Sequence, residues 1–177
     1  MALGRAMKLL QIVGFSNSGK TTLIEKALQY MVEKGLSVAT IKHHGHGKKL
    51  LALDTGKDSH RYREAGAVGS AVAASETLQL QVQKKEPWSA EEILSIYEKL
   101  DLDGVLIEGF KQEPFPKIAM IRHTEDLTMF EGMENLQAVI YWEAIDGLEK
   151  KGISFFHIKE EQAYLEWMYQ QLEAKHE

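Results

Sequence analysis

The residues Gly14-Phe15-Ser16-Asn17-Ser18-Gly19-Lys20-Thr21 match G-x-x-x-x-G-K-[ST] at every fixed position. Each position has a chemical reason. Glycine at 14 and 19 permits backbone paths that a Cβ would obstruct, so successive N–H groups can turn toward phosphate oxygens. Lys20 supplies a mobile positive charge for β- and γ-phosphates, and the Thr21 hydroxyl is a ligand for Mg²⁺. Ser16, Asn17, Ser18 and Thr22 complete the predicted nucleotide-binding segment, and a helix opening there adds the partial positive charge of its N-terminus.

A nucleotide–Mg²⁺ site also needs a carboxylate at the end of a neighbouring hydrophobic strand. Glu108 ends Gly104-Val105-Leu106-Ile107 and stands where a Walker B acid would be. Asp54 follows a polar, glycine-containing loop and is the second candidate, expected to move toward the metal when a triphosphate binds. Lys20, Asp54 and Glu108 are therefore the predicted catalytic groups, and Thr21, Asp54 and Glu108 the predicted metal-binding set. No Asn-Lys-x-Asp guanine-reading motif occurs, so the residues leave GTP and ATP undecided. His43, His44 and His46 follow a strand at the edge where parallel sheets bind ligands. They read as phosphate or other ligand contacts, as metal ligands, or as loop structure. Arg61 and Arg63, with His60, form a basic cluster suited to bidentate phosphate recognition or to a solvated helix face. Lys111, Glu113 and Lys117 read as surface charge, and Trp88, Trp142 and Trp167 as packing.

The elements that position these groups follow from apolar spacing. Leu9–Gly14 is a buried strand, and Leu23, Ile24, Ala27, Leu28, Met31 and Val32 form a helical stripe ended by Gly35. Ser37–Ile41 is a second strand, which makes a βαβ unit and a parallel pair. Thr55 to Asp58 fits a capping box for a short helix reaching Gly66. Val68–Ala74 and Thr77–Val82 read as an antiparallel hairpin whose second strand alternates Leu78, Leu80 and Val82 with glutamines, one side wet. Ser89 to Glu92 caps a helix with Ile93, Ile96, Tyr97 and Leu100 inward. Val105–Ile107, Lys117–Arg122, Leu136–Trp142 and Ile153–Ile158 are further strands, and Glu160–Ala174 is a closing helix. The expected fold is a three-layer P-loop NTPase α/β domain spanning residues 1–177, mainly parallel, with one antiparallel hairpin.

Composition narrows the rest. The chain has 177 residues, 44% hydrophobic and 27% charged, which is globular and excludes low-complexity disorder. A net charge of −5 argues against a nucleic-acid-binding role. The absence of cysteine excludes disulfides, thiolate metal sites and thiol nucleophiles. No apolar run approaches the ~20 residues of a bilayer span, and the expected location is cytoplasmic, with no membrane association.

Four blocks together carry a closer resemblance: Gly14–Thr22, Lys42–Gly47, Asp54–Ala67 and Glu108-Gly109-Phe110-Lys111. In this order, across residues 8–122, the sequence resembles the MobB family, molybdopterin-guanine dinucleotide biosynthesis protein B. The resemblance implies a homodimeric GTP-binding protein with Mg²⁺ and weak GTPase activity. Such a protein assists the molybdenum cofactor guanylyltransferase that joins GMP to molybdopterin and does not itself catalyse that transfer. It also implies that 54–67 is a nucleotide-responsive segment, and it makes the pterin a candidate partner of His43, His44, His46, Arg61 and Arg63. Relatives of that family set the alternatives, an ATP-dependent small-molecule kinase or ligase resembling dethiobiotin synthetase, and a metal-delivery GTPase.

Overall fold

The computed structural model describes residues 7–45, 50–130, 132–143 and 152–173. Along the chain run β1 (Lys8–Gly14), α1 (Lys20–Glu33), β2 (Val38–Lys42), α2 (Asp58–Glu64), β3 (Gly69–Ala74), β4 (Thr77–Val82) and α3 (Ala90–Tyr97). They are followed by β5 (Gly104–Glu108), β6 (Lys117–Ile121), a 3-10 turn at Thr124–Phe130, β7 (Leu136–Tyr141), β8 (Ser154–His157) and α4 (Glu161–Leu172). Two compact units result: Met1–Gly45 with Ala90–Glu177, and His46–Ser89.

In the first unit, the described strands form one parallel sheet in the order β2-β5-β1-β6-β7-β8. β1 is central, with Leu10 opposite Leu106 on one side and Ile12 opposite Ile118 on the other. A strand with partners on both edges and layers on both faces must be apolar throughout, which explains the unbroken run Leu9 to Val13 interrupted only by Gln11. On one face, Leu10, Ile12, Leu106, Met120 and Ile140 pack against Leu23, Ala27 and Met31 of α1 and Leu165, Met168 and Leu172 of α4. On the other, Ile41, Val105 and Ile107 meet Leu94, Ile93 and Tyr97 of α3. Helices on both faces make the three layers of a P-loop NTPase α/β fold.

The link from β5 to β6 passes over β1 without a helix. Parallel neighbours usually need a crossover of about a dozen residues or more, but here 109–116 suffices. Gln11 holds that loop: its Nε2 donates to the carbonyls of Gly109 at 2.5 Å and Phe110 at 2.6 Å. This explains the one polar residue between Leu9 and Val13. Lys117, read as surface charge, is instead buried at the start of β6, where its ammonium donates to the carbonyls of Glu113 and, at 3.1 Å, Phe115. Burial pushes its pKa below the usual lysine value, with Glu134 and Glu113 opposing.

The second unit contains α2 and the antiparallel β3–β4 pair, in which Ala71 opposes Leu80 and Ala73 opposes Leu78. The hairpin is where the alternation placed it, yet its apolar side is exposed: Leu78 at 64%, Leu80 at 49% and Val82 at 37%. Period-two alternation identifies a two-faced strand but not what covers either face. Thr55 does not cap α2. The helix begins at Asp58 after Lys57, without a side-chain cap, and the Thr55 hydroxyl turns back to the Ala52 carbonyl. Two helical stripes are narrower than their apolar spacing predicts. Val32, Ile96 and Leu100 are exposed, while Ala90 and Leu94 are the buried positions of α3.

Met168 is fully buried in the α1–α4 core. We expect Met168→Ala to cost about 2–5 kcal/mol. Urea unfolding should show this as a lower midpoint at unchanged slope, and a midpoint equal to wild type would place the core elsewhere.

Candidate functional site

β1 ends at Gly14 because the backbone there passes too close to its neighbours for a side chain. A Cβ on Gly14 would lie 2.6 Å from Ser18 Oγ and 2.9 Å from the Met120 carbonyl oxygen. The chain therefore doubles back over the end of β1, and Ser18 N donates to the Phe15 carbonyl at 3.3 Å. Gly19 opens α1 at φ +99°, a left-handed conformation, with space for a Cβ limited to 3.3 Å by Met120 and Trp142. Ser18 Oγ is buried inside this loop without a hydrogen-bond partner. A cradle closed by a missing Cβ, an unsatisfied hydroxyl and the start of a long helix fits a phosphate chain. Thr21 and Thr22 are exposed on the first turn of α1.

Lys20 reaches back over the loop, donating to the carbonyls of Gly14 at 3.1 Å and Phe15 at 2.6 Å. Burial lowers its pKa; Glu108 opposes the shift, and Lys111 and Lys42 add to it. Lys20 and Lys42 thus both lie within reach of the charge of one acid, Glu108. Glu108, at the end of β5, is mostly buried and ion-paired with Lys42 Nζ of β2 at 3.0 Å. Lys111 lies over the Phe15 ring at 5.4 Å. The oxygen ligands offered by Thr21 and Glu108 are hard donors of the kind Mg²⁺ takes. His43 follows Lys42 and stacks on Phe110 at 4.5 Å between ring centres. His43 and His44 are both exposed, and His46 lies outside the described residues. Among the described residues, no three acidic or histidine side chains gather to hold a metal ion.

The other flank of the loop is built by residues at the ends of β6 and β7. Arg122 Nη1 donates to the Asn17 carbonyl at 2.9 Å, and Trp142 Nε1 donates to the Ser18 carbonyl at 3.1 Å. The guanidinium lies 4.8 Å from the Trp142 ring centre. Trp142, expected to serve packing, thus braces the phosphate loop, and Arg122 does so outside any sequence motif. Both directly follow strand ends on the edge that carries the loop, and that position was the available signal.

Asp54 belongs to the second unit, where it is committed to Arg63. Arg63 Nη2 donates to Asp54 Oδ1 at 2.5 Å and Nη1 to Oδ2 at 2.8 Å, while the Ser59 hydroxyl also donates to Oδ2. Both side chains are nearly buried, so Arg63 is a structural partner here. Arg61 remains exposed beside Asp58, and His60 faces Glu64 at 3.6 Å.

The family model for molybdopterin guanine dinucleotide synthesis protein B, MobB, matches residues 9–142. The chain belongs to the MobB family. It is 40% identical to a probable molybdopterin-guanine dinucleotide biosynthesis adapter protein of Bacillus subtilis, over 89% of each chain. It is 36% identical to the molybdopterin-guanine dinucleotide biosynthesis adapter protein of Haemophilus influenzae, over 71% of this chain and 68% of the other. The crystal structure of Bacillus subtilis MobB superposes with a TM-score of 0.80 at 36% identity, covering 96% of this chain and all of that one. The MobB match runs past Arg122, where the sequence resemblance stopped, and takes in Trp142.

Arg63 holds the Asp54 carboxyl far below the usual carboxylate range, with Ser59 adding to the effect. A carboxyl that ionises more readily folded than unfolded stabilises fully above about pH 4 and loses that contribution as pH falls through the folded value. Asp54→Asn should therefore be less stable than wild type at neutral pH and change less on acidification below about pH 4. Thermal melts across that range measure it, and parallel acid dependence in both proteins would refute the pairing.

Proposed function

We propose that this chain is a GTP-binding accessory protein of molybdenum cofactor maturation that assists a guanylyltransferase in forming molybdopterin guanine dinucleotide. The observation that carries the reading is the phosphate cradle, with Gly14 pressed against Met120 and an unsatisfied Ser18 hydroxyl inside, in a member of the MobB family. The adapter names of its relatives support an assisting role. In this reading Gly14, Ser16, Asn17, Ser18, Gly19, Lys20, Thr21 and Thr22 hold the phosphates. Thr21 and Glu108 hold Mg²⁺, which when bound offsets charge on the terminal phosphate oxygens.

Lys20 and Lys42 each have a protein partner that a nucleotide complex would replace. Lys20 exchanges two loop carbonyls for phosphate oxygens. With Glu108 engaged by the metal, Lys42 would lose its present partner, and its charge would be available to an anion. A part for Asp54 in GTP hydrolysis requires its release from Arg63 and Ser59. His43 and His44 of the first unit are exposed and suit contact with a phosphate such as the pterin's; Arg61 of the second unit is a separate exposed candidate, and His46 lies outside the described residues. The chain acts in the cytoplasm in this proposal, and among the described residues no helix is long and apolar enough to cross a membrane.

We also propose a homodimer joined through the hairpin. An isolated two-stranded hairpin is marginal in water, and α2 contacts the pair through Ser70, on the face opposite Leu78 and Leu80. A second copy laid on Leu78, Leu80 and Val82 would cover that apolar face.

Two measurements test these readings. Calorimetry should show GTP binding with Mg²⁺, abolished by Lys20→Ala. Glu108→Ala should weaken Mg²⁺-dependent binding of both GDP and GTP by about tenfold or more. Unchanged GTP affinity in Lys20→Ala would refute the site. Sedimentation should show wild type as a dimer at micromolar concentration and Leu78→Glu/Leu80→Glu as a folded monomer. A dimeric double variant would refute the hairpin interface.

A further inference from the structure

On the flank of the phosphate loop away from Glu108 lies a cavity of about 220 Å³. Its walls include Thr22 and Leu23 of α1, Met120 of β6, Arg122, Trp142 and Tyr164. We propose that this cavity takes the nucleobase, with Arg122 and Trp142 as the pair that reads it, and that the pair favours a 6-oxopurine over adenine. The inference rests on the nucleotide-binding reading above and assigns the end of the ligand that the phosphate motif leaves open.

Direction comes first. β5 and β6 lie on opposite sides of β1. Lys20, Lys42 and Glu108 gather toward β5, which fixes the terminal-phosphate and metal end. The nucleoside must then leave on the β6–β7 side, past Thr22, the residue after the metal-binding hydroxyl. The cavity begins there. Its volume is below the roughly 300–1,000 Å³ of clefts that bury drug-sized molecules, which suits a flat ring system and excludes a bulky second substrate.

The walls also have the chemistry of a base site. Trp142 supplies a half-buried aromatic face held in one orientation by its bond to the Ser18 carbonyl. Bases stack on aromatic rings and on guanidinium planes alike. Arg122 uses Nη1 on the Asn17 carbonyl, and a guanidinium carries five N–H donors and no acceptor. Guanine presents two adjacent acceptors, O6 and N7, whereas adenine presents N7 beside the N6 amino donor. A donor-only fork pairs with the first edge and is opposed by the second. Discrimination thus arises without the Asn-Lys-x-Asp motif, which this chain lacks.

The competing role for both side chains is bracing alone, since each holds a carbonyl of the loop. Calorimetry with GTP, ITP, ATP and inorganic tripolyphosphate, all with Mg²⁺, separates the two. Wild type should bind GTP and ITP within a few-fold of each other and ATP more weakly. Arg122→Ala should lose about tenfold or more in GTP affinity, bring GTP and ATP level, and change tripolyphosphate affinity by less than about threefold. Arg122→Lys, which keeps a donor for the Asn17 carbonyl but not the planar fork, should lose the same discrimination. Trp142→Leu should weaken GTP, ITP and ATP together while sparing tripolyphosphate. Equal loss of GTP and tripolyphosphate in Arg122→Ala would make the residue a brace and overturn the proposal, as would full retention of GTP selectivity. Failure of wild type to bind either GTP or tripolyphosphate would instead remove the nucleotide reading itself.

Discussion

The closeness of Gly14 to the strand beside it sets the geometry of the phosphate-binding end. β1 has parallel partners on both edges, so the chain leaving it cannot spread within the sheet and must turn over its end. With Met120 O 2.9 Å from where a Cβ would be, only glycine makes that turn without displacing β6. The turn sets Ser18 inward, starts α1 over the strand ends, and brings the carbonyls of Asn17 and Ser18 within reach of Arg122 and Trp142. The glycine spacing and the location of the candidate site are therefore consequences of one steric limit.

Charge is arranged asymmetrically around that turn. Toward β5, the mostly buried Glu108 carboxylate is paired with Lys42, and Lys20 feels the charge of both. Toward β6 and β7 the lining is aromatic and aliphatic with one guanidinium. A ligand with a polyanionic tail and a flat, less polar head matches both sides. The unit between β2 and α3 contributes a nearly buried Arg63–Asp54 pair and an exposed apolar strand face.

Most of the sheet was legible in the sequence because each strand of a doubly covered parallel sheet must be apolar along its whole length. Strand ends agreed to within a residue or so. The phosphate loop was legible because its spacing admits few alternatives. What was hidden depended on partners distant in sequence. Lys117 looks like any charged residue until the 109–116 loop brings two carbonyls to it. Asp54 looks like a free switch acid until α2 delivers Arg63. Arg122 and Trp142 act on the loop from strands more than a hundred positions away, and no local pattern records that. The wide stripes read for Val32, Ile96 and Leu100 fail for a simpler reason: a helix of limited length buries a narrow arc, and propensity alone does not say where the arc ends.

The position of β1 in the sheet has a cost during synthesis. Both of its neighbours, β5 and β6, come from the second half of the chain, with α2, the hairpin and α3 made in between. A nascent chain must therefore carry the run Leu9 to Val13 with both backbone edges unpaired until Gly104–Ile121 has left the ribosome. Non-local parallel pairing closes slowly, and an unpaired apolar strand is a template for intermolecular pairing. The α1 helix can shield one face of β1 early, but neither edge. The same central placement that holds the phosphate loop rigid in the folded protein thus makes its supporting strand the segment most dependent on protection before folding is complete.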